Sequence, residues 1–367
     1  MSPFIHVPVL LWVFAMAAAS QSFAAETGRV KLVPIPGARS IVKAQIGVDG
    51  TIHVLYDGEN APFYTRSTDN GASFSKPISV VETPSKTPGL KFHAWDMAVG
   101  KDGRVHVAMG NNGWKLKLPQ EEWSLHYATL DRAEKAFSPV RNLNRKPSEG
   151  FALAANARGD VSASFLSGRL YAMVSHDSGR KFADWHELST EWNPCDCCTT
   201  AAAYGADGRL AVLYREETNN DRDIYAVIWD QRVEDKMIRR RISTTPWKLE
   251  GCPMTYFTIS PAANGYIAAW PTKGEIYFAR LDANGEVLPP GEIKTTGQNG
   301  MRTGIVGLSA ADGATLIAWK NAEKLGWQLY DAKGNPFSDP DASGSTESSG
   351  NGAAGVVLSS GKFLLFP

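Results

Sequence analysis

The chain has 367 residues, of which 43% are hydrophobic and 10% are aromatic, and this composition excludes a disordered protein. Its 38 Lys and Arg residues balance its 38 Asp and Glu residues, so the formal net charge is zero. Because no basic excess is available to neutralise phosphate groups, we expect no nucleic-acid partner and no attraction to an anionic membrane surface.

The first 25 residues have the pattern of a secretory signal peptide. Residues 1–25 contain no Lys, Arg, Asp or Glu, and an apolar run over 7–19 is followed by small residues. The alternative is a membrane anchor, but the run is shorter than the roughly 20 residues that a spanning helix needs. We therefore expect an exported protein, periplasmic or extracellular, without stable membrane insertion. All four cysteines follow residue 25 and would meet oxidising conditions there.

A repeat of about 50 residues follows the signal segment. In most copies an Asp-Gly or Asn-Gly pair stands before a run of alternating apolar residues, and this pattern predicts a tight β-hairpin because glycine accepts a positive φ. β-Units at a regular period predict an all-β fold, a single β-propeller of four-stranded antiparallel blades. The recurring glycines stand at positions 50, 103, 159, 208, 265, 313 and 361.

The seven glycines indicate seven units between residues 29 and 367, although six blades are the alternative because the last unit is incomplete. That unit has only a hairpin, 355–366, and the N-terminal stretch 29–35 would add an outer strand that closes the ring without a free edge. The Ser/Gly/Asp-rich stretch 338–352 is expected to be a flexible surface loop. In the first unit we expect strands at 41–48, 52–56, 63–67 and 73–80.

Two units contain a sharper turn motif between their third and fourth strands. Segments 67–74 and 175–182 both fit Ser-x-Asp-x-Gly-x-x-aromatic and lie two repeat lengths apart. In such a turn the Asp and Ser side chains bond to backbone groups, and the aromatic ring packs between blades. The motif resembles the Asp-box, or BNR repeat, of the sialidase-like β-propellers of the neuraminidase superfamily. Its residues here are Ser67, Asp69, Gly71, Phe74, Ser175, Asp177, Gly179 and Phe182.

The resemblance implies a glycan-directed function, either binding or glycoside hydrolysis, for a carbohydrate or other small-molecule ligand. In the family the Asp-boxes face away from the active site. The ligand would therefore bind on the opposite face, the top face, which contains the second-to-third-strand loops and the connections between blades. Sialidases of the family use an arginine triad, a Tyr nucleophile supported by Glu, and an Asp acid/base. The first triad arginine precedes an Ile-Pro pair, whereas here Pro34 precedes Ile35 and Pro36, so we expect at most weak sialidase activity.

Charged residues of the expected top face are the candidate catalytic groups. Planar Arg side chains suit a carboxylate, and Asp and Glu suit acid–base work. The alternative is that Arg222 and Asp223 form a loop-fixing ion pair and that Glu216 is solvated. Tryptophans of the same face would stack on a sugar or pack between blades, and they are Trp114, Trp123 and Trp247. The catalytic candidates are Asp57, Arg215, Glu216, Arg222, Asp223 and Arg302.

The cysteines form the most distinctive group in the sequence. Segments 193–198 (Asn-Pro-Cys-Asp-Cys-Cys) and 251–254 (Gly-Cys-Pro-Met) precede the innermost strands of adjacent units, so we expect them side by side at the channel mouth, with Met301 further round. Two disulfides, a soft-metal site for copper or zinc, and a redox Cys-x-x-Cys pair are the alternatives. The candidate ligands are Cys195, Cys197, Cys198, Cys252, Met254 and His93.

Three hypotheses for function follow: a glycan-directed protein, a soft-metal or redox protein that uses the cysteine segments, and an interaction scaffold. In each case we expect a monomer. The repeat register predicts that Cys252 lies near Cys198, on the face opposite the Asp-box turns. A bridge to Cys252 or between Cys195 and Cys198 is easier to form than a vicinal bridge between Cys197 and Cys198.

Overall fold

The recurring glycines form tight turns, as the sequence predicts. At the first of them Gly50 has a φ of 81°, and its backbone N–H donates to the carbonyl of Gly47 with an N···O distance of 3.0 Å. The turn joins two strands that pair antiparallel. The predicted signal peptide lies outside the residues that the computed structural model describes, which are 28–82, 85–133, 135–189, 191–233 and 236–367.

The strands form seven sheets, and the sheets follow one another along the chain. The first strand, β1 (Val30–Leu32), belongs to the last sheet. The next three sheets each contain four antiparallel strands in chain order. Their strands are β2 (Ser40–Ile46), β3 (Ile52–Asp57), β4 (Pro62–Ser67), β5 (Ile78–Ser79), β6 (Phe92–Val99), β7 (Val105–Asn111), β8 (His126–Leu130), β9 (Arg141–Asn142), β10 (Glu149–Ala155), β11 (Val161–Leu166), β12 (Leu170–Ser175) and β13 (His186–Glu187).

Three further four-stranded sheets and one three-stranded sheet complete the set. The helices in the described ranges are two short 3₁₀ turns, Gln120–Glu122 and Pro340–Ala342, and none has the length and apolar character needed to span a bilayer. The remaining strands are β14 (Ala201–Tyr204), β15 (Leu210–Arg215), β16 (Ile224–Trp229), β17 (Met237–Arg241), β18 (Thr258–Ala262), β19 (Gly265–Thr272), β20 (Glu275–Leu281), β21 (Ile293–Gln298), β22 (Ile305–Ser309), β23 (Thr315–Asn321), β24 (Lys324–Tyr330), β25 (Ser343–Glu347), β26 (Ala354–Val357) and β27 (Phe363–Phe366).

The seven sheets are the blades of a β-propeller, which confirms the predicted fold and excludes the six-blade alternative. The first strand of each blade lies innermost, and each innermost strand contacts those of the two neighbouring blades, including β26 against β2. The seventh blade has the order β1-β27-β26, so the N-terminal strand completes it as expected. That blade departs from the predicted four-stranded antiparallel pattern, because it has three strands and β1 runs parallel to β27.

The hydrophobic core lies in layers between adjacent blades. Between the first and seventh blades, Ile52 and Val54 are fully buried together with Leu364 and Phe366. Comparable clusters occupy the spaces between the other blades. Because both faces of each sheet are covered by a neighbour, many strands are buried along their whole length, and the alternation in the sequence is incomplete.

The stretch 338–352 is not the flexible loop that its composition predicts. It contains the 3₁₀ turn Pro340–Ala342 and the strand β25, which pairs antiparallel with β24 from Lys324 opposite Glu347 to Gln328 opposite Ser343. The ladder supplies the backbone partners for this polar segment. The composition was misleading because an outermost strand has one side toward solvent and needs few apolar residues.

The turn at 67–74 has the contacts expected from its motif. The Ser67 hydroxyl donates to Asp69 Oδ1 at 2.7 Å and accepts from the backbone N–H of Gly71 at 2.9 Å. The Phe74 ring contacts the Phe366 ring of the seventh blade edge-on, with centroids 6.2 Å apart. The aromatic residue therefore packs between two blades.

The turn at 175–182 repeats this geometry two blades later. Ser175 donates to Asp177 Oδ1 at 2.6 Å, and the N–H of Gly179 donates to Ser175 Oγ at 2.9 Å. The Phe182 ring lies edge-on against Tyr127 of the preceding blade, with centroids 5.2 Å apart. Because strands alternate in direction, these turns share a face with the glycine hairpins, and the ends of the second strands lie on the opposite face.

We predict that Asp69→Ala lowers the melting temperature at pH 7 and that the difference from the wild type shrinks as the pH falls from about 4 to about 2. Hydrogen bonds from Ser73 and Ser67 to the carboxylate lower the pKa of Asp69 to about 2. A lowered folded-state pKa stabilises the protein above the unfolded pKa and ceases to do so as the pH falls through the folded value. Thermal unfolding across this pH range measures the effect.

Asp184→Ala is the matched control, because Asp184 is an exposed aspartate close to the second turn. This variant should melt with the wild type at every pH. A constant difference between Asp69→Ala and the wild type down to pH 2 would contradict the role assigned to the Asp69 carboxylate.

Candidate functional site

The central channel widens at one end into a cavity of about 590 Å³ that is lined by residues of all seven blades. Its wall includes Asp57 at the end of β3 and His93 near the start of β6. These strand ends lie opposite the turns at 67–74 and 175–182, so the cavity lies on the predicted top face. We call it the mouth cavity.

Three carboxyl groups line the mouth cavity, those of Asp57, Asp96 and Glu149 on the first three blades. Burial raises the pKa of Asp57 to about 6, although its Oδ1 accepts the N–H of Ala94 at 2.9 Å, which acts in the opposite direction. The pKa of Glu149 is also raised, by partial burial and the negative charge of Asp196, and Arg302 opposes this shift. A raised pKa is the property that lets a carboxyl group act as a general acid.

Aromatic rings form one side of the mouth cavity. A β-bulge in β6 between Ala94 and Asp96 makes Trp95 the extra residue of the strand, and Trp95 lines the cavity. Its ring lies 5.3 Å from that of Phe151 and 6.2 Å from that of Tyr256, measured between centroids. A tilted aromatic group of this kind offers a stacking surface to the apolar face of a sugar ring.

The His93 ring is neutral at physiological pH. Its side chain is open to the mouth cavity, but the surrounding protein displaces bulk water and lowers the pKa of His93 to about 4. The indole N–H of Trp95 donates to His93 Nε2 at 2.8 Å, and this bond requires an unprotonated Nε2. His93 therefore acts here as a hydrogen-bond acceptor that orients Trp95.

Cationic groups at the mouth cavity differ in how strongly they are already paired. Lys43 forms an ion pair with Asp96 at 3.0 Å across the first two blades, and Asp96 Oδ2 also accepts the N–H of Leu153 at 2.9 Å. Arg39 pairs with Glu59 at 3.1 Å on the exposed rim. These pairs leave Arg302 as the cation that is best placed to donate to a ligand.

Arg302 is held at the cavity by its backbone. Its N–H donates to the carbonyl of Met254 on the neighbouring blade at 2.9 Å, and it adopts a φ of 55°. Its guanidinium forms no side-chain hydrogen bond or ion pair with the residues described in the structure, and its charge acts on Glu149 and Tyr256. The pKa of Tyr256 is raised by burial, with Arg302 opposing the shift.

The four cysteines meet on the fourth and fifth blades, and we call them the sulfur cluster. Cys197 and Cys252 form a disulfide with Cα atoms 6.3 Å apart, which confirms the predicted proximity of the two segments. Cys195 and Cys198 are free and buried, so the expectation of two disulfides is wrong for this pair. The Sγ atoms of Cys195 and Cys198 are 3.2 Å apart, and those of Cys195 and Cys197 are 3.5 Å apart.

Two arginines adjoin the free thiols. Arg215 is 1% exposed and donates to Thr255 Oγ1 and to two backbone carbonyls, and Arg222 Nη1 donates to Cys195 Sγ at 3.5 Å. Burial acts to raise the pKa of Cys198, but the hydrogen bond from Cys195 and the charge of Arg215 lower it below its usual range. The pKa of Cys195 is raised by the same hydrogen bond and by burial. Cys198 is therefore the thiolate of the pair.

The predicted soft-metal ligands come together in part. The sulfur atoms of Cys195, Cys197 and Cys198 lie within 4.8 Å of one another. Among the His, Cys, Asp and Glu residues that the structure describes, these three are close enough together to hold a metal ion. Cys197 is already bonded to Cys252, however, and a metal requires thiolates. His93 accepts from Trp95 in the mouth cavity instead. The disulfide state therefore does not fit copper or zinc.

The predicted catalytic residues separate into two groups. Asp57 and Arg302 line the mouth cavity, whereas the other four do not. Glu216 accepts from Arg239 at 2.8 Å and from Tyr214 at 3.0 Å, and Asp223 pairs with Arg241 at 2.8 Å. The alternative of an ion pair between Arg222 and Asp223 is therefore wrong, because Asp223 pairs with Arg241 instead. Glu216 is buried and not solvated. Residues outside the described cavity lining are Arg215, Glu216, Arg222, Asp223, Met254 and Met301.

The predicted tryptophans also lie outside the mouth cavity. Trp114 is 60% exposed, the Trp123 indole donates to the carbonyl of Leu118 at 3.1 Å, and the Trp247 ring lies 4.7 Å from the Arg215 guanidinium. Trp247 therefore covers the buried arginine rather than a ligand surface.

Several residues that line the mouth cavity were not among the sequence candidates, and Arg39, Trp95, Glu149 and Tyr256 are four of them. Their position in the repeat could have identified three of these residues. Arg39, Glu149 and Tyr256 stand at or just before the start of an innermost strand, as His93 and Arg302 do. The bulge that selects Trp95 has no sequence marker.

Comparisons with known proteins identify the fold alone. No family model matches the chain, and no curated protein matches it. Among solved structures, it is similar to an α-L-arabinanase of Penicillium chrysogenum complexed with arabinobiose, with 13% identity, a TM-score of 0.53, and coverage of 80% of this chain and 94% of that one. A chain of the mitotic checkpoint complex gives 14% identity, a TM-score of 0.54, and coverage of 97% and 94%.

A third similar structure is YCF48 from Cyanidioschyzon merolae, with 13% identity, a TM-score of 0.50, and coverage of 88% of this chain and 90% of that one. At such identities these likenesses show a shared β-propeller and do not transfer an activity.

We predict that Asp57→Asn removes a loss of stability that the wild type undergoes between about pH 4 and pH 6. Because the pKa of Asp57 is higher in the folded than in the unfolded state, protonated Asp57 contributes its full stabilisation below the unfolded-state pKa. This contribution is lost as the pH rises through about 6. Asparagine keeps the acceptor for Ala94 but does not ionise. Urea unfolding at a series of pH values measures the difference, and parallel pH profiles for the two proteins would contradict it.

We predict that Cys252→Ser lowers the free energy of unfolding by about 2–4 kcal/mol, because the disulfide closes a loop with a sequence separation of 55 residues. Urea unfolding measures the loss. A thiol assay under denaturing, non-reducing conditions should count two thiols per wild-type chain, those of Cys195 and Cys198. Four thiols before reduction would contradict the bridge.

Proposed function

We propose that this protein is glycan-directed and that the mouth cavity binds a sugar and hydrolyses its glycosidic bond. The observation that supports this most directly is the pairing of two carboxyl groups of raised pKa, Asp57 and Glu149, in one cavity with an aromatic side. Most glycosidases use such a pair, with one carboxyl as acid and the other as base or nucleophile.

The two carboxyl groups would take different roles because their surroundings differ. Asp57 is the more buried, and its pKa of about 6 leaves it partly protonated near neutral pH, as a general acid requires. The pKa of Glu149 is also raised, by partial burial and by the charge of Asp196, but Arg302 opposes this rise. Glu149 is therefore the proposed base or nucleophile.

The remaining cavity residues would position the sugar. Trp95 offers its ring for stacking, and the Arg302 guanidinium and Tyr256 hydroxyl offer donors to sugar hydroxyl or carboxylate oxygens. A cavity of about 590 Å³ has room for one or two sugar rings. An end of a glycan is the proposed ligand.

A panel of aryl glycosides and a glycan array would test the proposal. We expect turnover of at least one glycoside, with Asp57→Asn and Glu149→Gln each lowering kcat by a factor of about 100 or more. Trp95→Ala should weaken binding to the array, because it removes the stacking surface.

Asp223→Asn is the matched control, since Asp223 is also a carboxylate of the top face but pairs with Arg241 away from the cavity. It should retain activity. Loss of turnover in Asp223→Asn but not in Asp57→Asn, or glycan binding that Trp95→Ala leaves unchanged, would contradict the assignment of the cavity.

A further inference from the structure

The sulfur atoms of the cluster form a continuous row from the interior to the surface. Cys198 and Cys195 are buried thiols with Sγ atoms 3.2 Å apart. Cys195 Sγ lies 3.5 Å from the sulfur of Cys197, which is half-buried and bonded to the exposed Cys252. A dithiol and a disulfide are thus in van der Waals contact, which is the arrangement that thiol–disulfide exchange requires.

We propose that the sulfur cluster is a thiol–disulfide exchange site, in which the buried Cys195–Cys198 dithiol exchanges with the exposed Cys197–Cys252 disulfide. Cys197 and Cys198 also line the mouth cavity. The exchange nevertheless does not use the proposed glycosidase residues, because the reacting atoms are the four sulfurs alone. Its external ligand would be a low-molecular-weight thiol or disulfide that reaches Cys252 from solvent.

The exchange balances within the protein. Cys195 passes its proton to Cys198 and its sulfur attacks Cys197, so that the Cys195–Cys197 bond forms while the Cys197–Cys252 bond breaks. Cys252 leaves with the bonding electron pair as a thiolate. Cys198 then gives up its proton, which the Cys252 thiolate takes up, and attacks Cys195. The Cys195–Cys198 bond forms while the Cys195–Cys197 bond breaks, and Cys197 leaves as a thiolate.

The protein's oxidation level is unchanged by these two steps. The buried pair has lost two electrons and the one proton that it held, and the surface pair has gained them. An external disulfide could then re-form the Cys197–Cys252 bridge and leave as two thiols, which would give a chain with both bridges.

The surroundings of the thiols favour this chemistry. The guanidinium of Arg222 donates to Cys195 Sγ at 3.5 Å, and Thr255 Oγ1 lies 3.6 Å from Cys198 Sγ. Arg215 is buried beside Cys198, and a positive charge in a dry environment stabilises a thiolate strongly. A purely structural pair of buried cysteines would not need two arginines around it.

Differential alkylation of the native protein tests the proposal. The protein is equilibrated in glutathione buffers of graded reduced-to-oxidised ratio, quenched with acid, alkylated, and mapped by fragment mass spectrometry. We expect an intermediate ratio to yield a species with a Cys195–Cys198 bridge and alkylated Cys197 and Cys252. More oxidising buffers should yield both bridges.

Two variants separate exchange from simple reduction. Cys198→Ser should stop at a Cys195–Cys197 bridge with Cys252 alkylated, and Cys195→Ser should form no bridge within the chain other than Cys197–Cys252 at any ratio. Both retain the native disulfide before treatment, so their melting temperatures check that they fold. Asp57→Asn should exchange like the wild type, which keeps this test separate from the glycan test.

Two results would overturn the proposal. One is a wild-type chain in which Cys195 and Cys198 stay reduced at every ratio while Cys197–Cys252 opens directly to two thiols. The other is a stoichiometric metal on Cys195 and Cys198 in the purified protein, detected by elemental analysis, because a metal would block both thiols.

Discussion

Closure of the ring is the constraint on which the rest of this structure depends. Each blade buries its faces only against its neighbours, so an open ring would expose the facing surfaces of the first and seventh blades. The closure combines the parallel pairing of β1 with β27 and a close backbone approach between the seventh and first blades. At that approach a Cβ on Gly352 would lie 1.6 Å from the carbonyl oxygen of Ile41, so only glycine fits.

The same constraint positions the mouth cavity. Hydrogen bonds between adjacent blades run around its rim, from Thr200 to the carbonyl of Gly150 at 3.0 Å, from Arg302 to Met254, and from Gly304 to Asn351 at 2.6 Å. Each bond joins the start of one innermost strand to the next blade. Residues near the starts of the innermost strands, such as Glu149 and Arg302, therefore line the same cavity although they lie far apart in the chain.

Burial then sets the chemistry of both candidate sites. In the mouth cavity it raises the pKa of Asp57 and of Glu149 and lowers that of His93. In the sulfur cluster it strengthens the effect of Arg215 on Cys198, since the arginine is itself enclosed by Trp247 and Phe257, with ring centroids 4.7 and 5.7 Å from its guanidinium. Each of the three guanidinium nitrogens of Arg215 donates a hydrogen bond to an oxygen, which offsets the cost of burying the charge.

The sequence by itself determined the repeat, the hairpins, the closing role of the N-terminal strand and the neighbourhood of Cys252 and Cys197, because each follows from local turn chemistry and a regular period. It also placed Asp57, His93 and Arg302 at strand ends that converge. The tertiary structure decided which other groups join them. The enclosure of Arg215 and the Cys197–Cys252 disulfide depend on contacts between blades. The bulge at Trp95 and the ion pair of Glu216 with Arg239 depend on contacts between strands of one blade, and no local pattern in the sequence records either kind of contact.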